Sequence, residues 1–180
     1  MHRQFLQDKL AHHSPVDENE AMMLIDIMEF VNQHNNCFDR ELNVGHITGS
    51  AWIIDLERTH ALLTHHRKLD RWLQLGGHSD GDSNTLEVAL REGREESGLE
   101  KIRPVHEDIF DVDVHLIPAR KSEPDHYHYD IRFLLEADRS TPLVVSEESN
   151  DLAWVPLDEI EKLVSDESIL RMLRKTRELA

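Results

Sequence analysis

The chain has 180 residues, of which 31% are charged, and its formal net charge is −16. That length suits one domain with an appendage, because domains commonly run to about 100–200 residues. The acidic balance argues against a nucleic-acid polymer as partner, since affinity for a polyphosphate backbone comes from Lys and Arg. No apolar run approaches the roughly 18 residues of a membrane helix or resembles a signal peptide. We therefore expect no membrane association and a cytoplasmic location.

A single cysteine, Cys37, excludes an intramolecular disulfide and a multi-cysteine zinc site. We interpret it as a half-buried thiol, because no sequence signature of a catalytic cysteine surrounds it. Two helices are predicted before it, over 3–13 and 15–34, with Ser14 as the N-cap of the second and Pro15 at its first position. The apolar stripe of the second helix must pack on the domain behind it or on a second subunit, so a homodimer is one arrangement we expect.

From residue 45 the sequence becomes rich in β-forming residues. Two runs, 46–55 and 60–66, predict a hairpin, and WLQL predicts a strand that enters the double glycine Gly76–Gly77. A helix is predicted over 84–97. Beyond it the predicted elements are strands in FDVDVHLIPAR and HYHYDIRFLLEAD, a short strand in DLAWV, a break at Pro156 and helices that include 166–178. This order predicts an α+β fold, an α/β/α sandwich around a mixed sheet. We divide the chain into an N-terminal helical extension, 1–44, and a domain, 45–180.

The predicted helix 84–97 carries three carboxylates on one stripe. Glu92, Glu95 and Glu96 are spaced i, i+3 and i+4, so their side chains should repel one another. One interpretation is a solvated acidic face balanced by Arg91 and Arg94. The other is a cation site, since hard oxygen ligands suit Mg²⁺ or Mn²⁺. The glycine turn, polar loop and capped helix around the stripe favour the cation site.

These residues resemble the Nudix hydrolase family, whose box is G-x5-E-x7-R-E-U-x-E-E-x-G-U, where U is aliphatic. Seven of the nine fixed positions match in this chain, namely Gly77, Arg91, Glu92, Glu95, Glu96, Gly98 and Leu99. The likeness is sharp over 72–99, and the strand order is compatible with a Nudix fold over 45–165. Two positions depart from the box. Ser83 replaces its first glutamate, whose supporting role Asp80, Asp82 or Glu87 could assume, and Gly93 replaces an aliphatic residue, which suggests a close contact of the helix backbone.

The resemblance implies hydrolysis of a diphosphate linkage in a small nucleotide-derived substrate, by attack of a metal-activated water on phosphorus. It implies Mg²⁺ or Mn²⁺ held by Glu92, Glu95 and Glu96, with a backbone carbonyl of Gly76 or Gly77 as a further ligand. Arg91 would orient the glutamates.

For the general base, the resemblance points to the helix or to Glu147 or Glu148 in the loop before the last strand. One alternative function is a non-catalytic Nudix-like module that senses a nucleotide or nucleotide sugar. A Nudix-fold isoprenoid diphosphate isomerase is disfavoured, because Cys37 lacks the sequence context of those enzymes.

Other side chains remain candidates without an assigned role. His126 and His128 share one face of a predicted strand, where they are either ordinary strand residues or ligands for substrate or a softer metal. His78, directly after the glycines, could contact phosphate. The basic loop residues that could receive an anion are Arg67, Lys68 and Arg71. Candidates for stacking on a base are Trp52, Trp72, Tyr127, Tyr129 and the phenylalanines.

Overall fold

The computed structural model describes residues 2–119, 124–147 and 149–179. The helices are α1 Gln4–His12, α2 Glu18–Gln33, α3 Thr85–Ser97, α4 Ile160–Leu163 and α5 Glu167–Arg177. The strands are β1 Gly45–Asp55, β2 His60–His66, β3 Arg71–Leu73, β4 Leu75–His78, β5 Ile102–Pro104, β6 Asp111–Ile117, β7 His126–Ala137 and β8 Ser149–Pro156. The predicted helices and strands are all present, with boundaries shifted by a few residues.

The strands form one mixed sheet centred on β1 and β7. These two pair in parallel along the whole of β1, from Gly45 opposite Tyr127 to Asp55 opposite Ala137. On its other side, β1 pairs antiparallel with β4 in its first half and with β2 near its end. In the same way β7 pairs with β6 and then with β5, while β2 also pairs with β3 and β8. Because each central strand changes partner along its length, the sheet opens into two arms.

Helices cover both faces of this sheet, so the predicted α/β/α sandwich is confirmed. Alternate residues of β1 point to opposite faces. Ile47, Ala51 and Ile53 join the larger hydrophobic core with buried residues of α1, α2 and α3. Trp52 and Ile54 face the other way and join a smaller core with α4 and α5.

Two details of the sequence interpretation were wrong. Asp17, not Ser14, caps α2: its Oδ1 accepts from the Glu20 backbone N at 2.7 Å. Glu20 in turn accepts from the backbone N of Val16 at 2.8 Å, and with these two bonds the helix starts three residues later than expected. WLQL is two strands rather than one. Up to Leu73 the segment pairs with β2, and from Leu75 it pairs with β1, so the pairing partner changes at Gln74.

The N-terminal helices are tied to the C-terminal helix by buried charges. Lys175 of α5 donates to the carboxylate of Glu20 in α2 and, at 2.7 Å, to Oδ1 of Asp111 in β6. Arg171 Nε donates to the same Asp111 oxygen at 2.8 Å, and all four side chains are buried. The N-terminal helices therefore contact the rest of the chain through these polar groups as well as through the hydrophobic core. The division of the chain at residue 45 stays a prediction.

Within the described ranges, no helix combines the length and apolar character needed to cross a membrane.

Candidate functional site

The double glycine lies in β4 against the first half of β1. Gly76 is opposite Ser50 and Gly77 is opposite Gly49. Gly76 has a φ of 157° and is so close to Ser50 that a side chain at this position would collide with the strand. At Gly77 the backbone of β4 is open on the side that α3 approaches, because a Cβ there would meet the Glu92 side chain of that helix.

Helix α3 is positioned as the sequence predicts. Asn84 Oδ1 accepts from the backbone N of Glu87, and Gly98 ends the helix in the left-handed conformation with a φ of 71°. The predicted apolar face, which includes Leu86, Ala89, Leu90, Gly93 and Ser97, is buried. At Gly93 an added Cβ would meet the terminal methyls of Ile53 and Ile102 at 3.3 Å, so this glycine lets the helix lie close to the sheet.

Two of the three glutamates converge on the glycine backbone. Glu96 Oε1 accepts from the backbone N of Gly76 at 3.3 Å. The carboxylate of Glu92 occupies the space that a side chain at Gly77 would need. Both glutamates are half-buried, whereas Glu95 between them is exposed. Hard oxygen donors therefore gather where the helix meets the glycine strand, and this donor chemistry fits Mg²⁺ or Mn²⁺.

Arg91 connects the same two elements. Its Nη2 donates to the carbonyl oxygen of His78 at 2.8 Å and to Glu92 Oε1 at 3.0 Å. Burial alone lowers the pKa of Arg91, but its hydrogen bond and charge interaction with Glu92, together with Glu95 and Asp80, raise that pKa above its ordinary value. The guanidinium is therefore always charged and holds the Glu92 carboxylate in one orientation.

Ser83 stands where the box has its first glutamate, and the three acidic residues that could replace that glutamate make different contacts. Of the three acidic candidates, Asp80 contributes charge to Arg91, while Asp82 accepts from the backbone N of Asn84 at 2.9 Å and so shapes the loop that begins α3. Glu87 supplies its backbone N to the Asn84 cap. Which of them assumes the supporting role of the missing glutamate stays a prediction.

The predicted general bases lie in the segment before β8. Glu148 falls outside the described residues, and Glu147 is exposed. The segment is attached to the end of α3, because the backbone N of Val144 donates to the carbonyl oxygen of Ser97 at 2.8 Å. Val144 also packs against Gly98. Neither glutamate is assigned a role by these contacts, and their function as base stays a prediction.

The sequence interpretation missed a buried polar row beside the glycine strand. Thr48 and Ser50 of β1 both donate to Oδ1 of Asp130 in β7, at 2.9 and 2.8 Å. The other carboxylate oxygen of Asp130 accepts from Gln74 Nε2 at 3.3 Å and from Arg132 Nε at 2.8 Å. These polar groups lie on the sheet face opposite α3, at the end not filled by Trp52.

A signal for this row was present in the sequence. Polar residues alternate at even positions in both HITGS and HYHYDIR, which places them on one face of each strand. Because β1 and β7 run parallel in register, Thr48 lies opposite Asp130 and Ser50 opposite Arg132. Only the pairing of the two strands, which the sequence did not reveal, joins the two rows.

The remaining candidates are separated by the structure. Trp52 is fully buried and its Nε1 donates to Thr176 at 2.8 Å, so burial removes it from the candidates for stacking on a base. Tyr129 is stacked on Phe30, whereas Tyr127 is 44% exposed. Arg67 donates to the carbonyl oxygen of Ser149. Cys37 is buried, and burial raises the pKa of its thiol to about 11.

His126 and His128 share one face of β7, as predicted, and rings from other strands join them. Ring centroids lie 4.8 Å apart for His46 and His128, 4.9 Å apart for His46 and His78, and 5.2 Å apart for His78 and His128. His46 lies on β1 and His78 on β4, so neither shares a strand with His128.

Solved structures with the same fold include several hydrolases. An Ap4A hydrolase from C. elegans, solved as a binary complex, superposes with a TM-score of 0.60 at 20% identity, covering 74% of this chain and 96% of that chain. A NUDIX-family hydrolase from Clostridium perfringens gives 0.57 at 22% identity, with 75% and 98% covered. The NUDIX domain of Shewanella oneidensis NrtR with ADP ribose gives 0.53 at 13% identity, with 83% and 96% covered. At these identities the likeness shows the fold alone.

The fold and the glycine strand facing a glutamate-bearing helix define a Nudix-type protein. The NUDIX domain model matches residues 46–175, which is most of the chain, whereas no curated protein sequence matches it significantly. The chain therefore belongs to the Nudix family.

Proposed function

We propose that this protein hydrolyses a diphosphate linkage in a small nucleotide-derived molecule, with Mg²⁺ or Mn²⁺ held by Glu92, Glu95 and Glu96. The observation that carries the proposal is the convergence of Glu92 and Glu96 on the backbone of Gly76 and Gly77. A solvated acidic face would have no reason to pack its carboxylates against two consecutive glycines of a strand.

The residues of this site would bind, orient and neutralise. The half-buried Glu92 and Glu96 and the exposed Glu95 offer carboxylate oxygens at the mouth of the glycine strand, and a carbonyl of Gly76 or Gly77 would add another oxygen. Arg91 holds Glu92 in place and balances part of its charge. A divalent ion bound there would supply positive charge to the diphosphate oxygens and lower the pKa of the attacking water.

A base near the mouth of the site would accept the proton of that water. Glu147 and Glu148 are our candidates, because the segment before them is attached to the end of α3 that carries Glu95 and Glu96. Glu147 is exposed and so retains access to solvent. The two carboxylates are adjacent in sequence, so single and double Gln variants would be needed to separate them.

For the substrate we propose the class of nucleoside diphosphates linked to a second group. Two solved structures of the same fold are described with compounds of this class: one is an Ap4A hydrolase, and the other is a NUDIX domain with ADP ribose. The diphosphate is the part of the molecule that a divalent ion at the glutamates would bind, and it is common to this whole class.

A panel of diphosphates tests the proposal. The purified chain is incubated with ADP-ribose, nucleotide sugars, dinucleoside polyphosphates, NADH, coenzyme A and nucleoside triphosphates, each with Mg²⁺, with Mn²⁺ and with EDTA. We expect phosphate-containing products from at least one compound, and we expect them to vanish in EDTA. No turnover of any compound contradicts the proposal. Tight binding without turnover, unaffected by Glu96→Gln, would instead identify a sensing module.

The proposal extends to assembly and location. Met22 and Ile25 of α2 are 61% and 56% exposed, so this helix could form a homodimer by burying them, and sedimentation analysis of Met22→Glu against the unaltered chain tests this. Turnover on small nucleotide-derived metabolites would suit the cytoplasmic location that the sequence predicts.

A further inference from the structure

Histidines from four neighbouring strands meet at one end of the sheet. The strand register places His46 of β1 opposite His128 of β7, and His128 opposite His115 of β6. His78 of β4 is opposite Thr48, which is two residues along β1 from His46 and therefore on the same face. His126 is two residues from His128 on β7. Five imidazoles thus share one face of the sheet because of pairing and register.

The central ring of this cluster is buried without a partner. His46 is only 2% exposed, and neither of its ring nitrogens has a hydrogen-bond partner among the described residues. Nε2 of His128 is likewise buried and has no hydrogen-bond partner among the described residues. Buried polar atoms are normally satisfied, and an orphaned one points to a bound water or ion. An apolar residue at position 46 would avoid this cost, so the cost indicates a function.

One nitrogen from each of His46, His78 and His128 can be chosen so that all three lie within 4.8 Å of one another. Imidazole nitrogens bind zinc at about 2.0–2.1 Å, so three nitrogens around one ion lie closer to one another than 4.8 Å. Small side-chain rotations would bring the three rings to that spacing. We propose that His46, His78 and His128 form a second metal site, which takes a borderline transition ion of the Zn²⁺ class and leaves a fourth position for water or a substrate oxygen.

The chemistry of these rings suits such an ion. Burial, together with neighbouring imidazoles, lowers the pKa of His46 to about 4 and that of His128 to about 2. Both rings are therefore neutral at pH 7 and keep a lone pair for a metal. Imidazole nitrogen suits Zn²⁺, Cu²⁺ or Ni²⁺, whereas Mg²⁺ prefers carboxylate and carbonyl oxygen. The histidine site and the glutamate site would thus select different ions.

Flanking groups are arranged to support the cluster. Nδ1 of His115 lies 3.0 Å from Oδ2 of Asp113, and Nδ1 of His126 lies 3.0 Å from the carbonyl oxygen of Pro124. These contacts fix the two rings that border the three proposed ligands. Arg40 is a charged neighbour that a metal would displace, since its Nη2 lies 2.7 Å from Nδ1 of His78. The Arg40 side chain is 56% exposed and also pairs with Asp80, so it can leave the ring without losing its carboxylate partner.

The test measures metal binding and needs no turnover, so it is independent of the proposed hydrolysis. The full chain is stripped with EDTA and dialysed against Zn²⁺ in excess Mg²⁺, which saturates oxygen-only sites, and bound zinc is counted by atomic emission. Variants are His46→Gln and His128→Gln, with His65→Gln as a histidine outside the cluster and Glu95→Gln as a change at the carboxylate site. Far-ultraviolet circular dichroism checks that each variant is folded.

We expect one zinc per chain in the unaltered protein, in His65→Gln and in Glu95→Gln, and an affinity at least about 10-fold weaker in His46→Gln and His128→Gln. X-ray absorption at the zinc edge of the unaltered chain should show nitrogen ligands, which decides the matter even if a histidine variant fails to fold. An edge spectrum with oxygen ligands alone, or zinc binding that both folded histidine variants retain in full, would overturn the proposal and leave a hydrated histidine cluster.

Discussion

Glu92 fills the space that a side chain at Gly77 would occupy. The contact joins the strand that contains the double glycine to the helix that carries the acidic stripe, and Arg91 reinforces it by binding both Glu92 and the carbonyl oxygen of His78. The glycine is therefore needed at this position for the room it leaves, since its φ is not in the left-handed region.

Replacing Gly77 by Ala should displace the Glu92 carboxylate and lower kcat about 10²-fold, because errors of about 1 Å in a catalytic group cost roughly that much. Gly93→Ala is a suitable control. Its added methyl meets the ends of Ile53 and Ile102 at 3.3 Å, which can give way, and the Cβ of Ala51 at an ordinary van der Waals distance of 3.5 Å. Steady-state kinetics on the best substrate of the panel would measure both variants. Equal kcat values for the two would refute the role assigned to this contact.

Arg91→Gln should weaken Mn²⁺ binding and lower kcat by about 10- to 100-fold, as expected for a residue that orients a metal ligand. Arg91→Lys should recover only part of this loss, because an ammonium cannot hold two acceptors in the fixed geometry of a guanidinium. Arg94→Gln, an exposed position on the same helix, serves as control. Mn²⁺ affinity is measured by electron paramagnetic resonance. A loss of stability with Mn²⁺ affinity unchanged would show that Arg91 is merely structural.

The buried charges joining α2 to α5 predict how stability depends on pH. Burial alone raises the pKa of Glu20, but hydrogen bonds from His13, Lys175 and the backbone N of Val16 outweigh it and lower that pKa from 4.5 to about 2. A carboxyl with a depressed pKa stabilises the fold above its unfolded pKa, and this contribution is lost as pH falls through the folded pKa. The difference corresponds to roughly 3 kcal/mol at pH 7, of which about 2 kcal/mol should be lost by pH 3.

Denaturant unfolding at pH 7 and pH 3 would check this expectation. Glu20→Gln should be less stable than the unaltered chain at pH 7 and should lose about 2 kcal/mol less on going to pH 3. Glu18→Gln, an exposed residue on the same helix, should follow the unaltered chain. If Glu20→Gln shows the same pH dependence as Glu18→Gln, then the Glu20 carboxylate is not held by the contacts described.

The sequence was informative where local rules determine the structure. The caps at Asn84 and Gly98 and the buried face of α3 follow from spacing within one helix, and all were confirmed. The start of α2 was misplaced because the segment offers two possible N-caps, and the bonds that Asp17 and Glu20 accept from the backbone start the helix after Ser14 and Pro15.

Features that depend on strand pairing could not be predicted. The row of Thr48, Ser50 and Asp130 joins residues about 80 positions apart, whose proximity follows from a parallel pairing that no local pattern specifies. The same holds for His46 and His128. The buried state of Trp52 depends on α5 covering that end of the sheet, and a tryptophan in a strand shows nothing of this by itself.

The most direct test of the account is the rate of diphosphate hydrolysis in Glu96→Gln under saturating Mg²⁺. Glu100→Gln, an exposed glutamate just beyond α3, provides the comparison. If the stripe holds the ion, Glu96→Gln should lower kcat by about 10²–10³-fold, while Glu100→Gln leaves the rate unchanged. Equal rates in a folded Glu96→Gln protein and in Glu100→Gln would contradict the central claim that these carboxylates bind the catalytic metal.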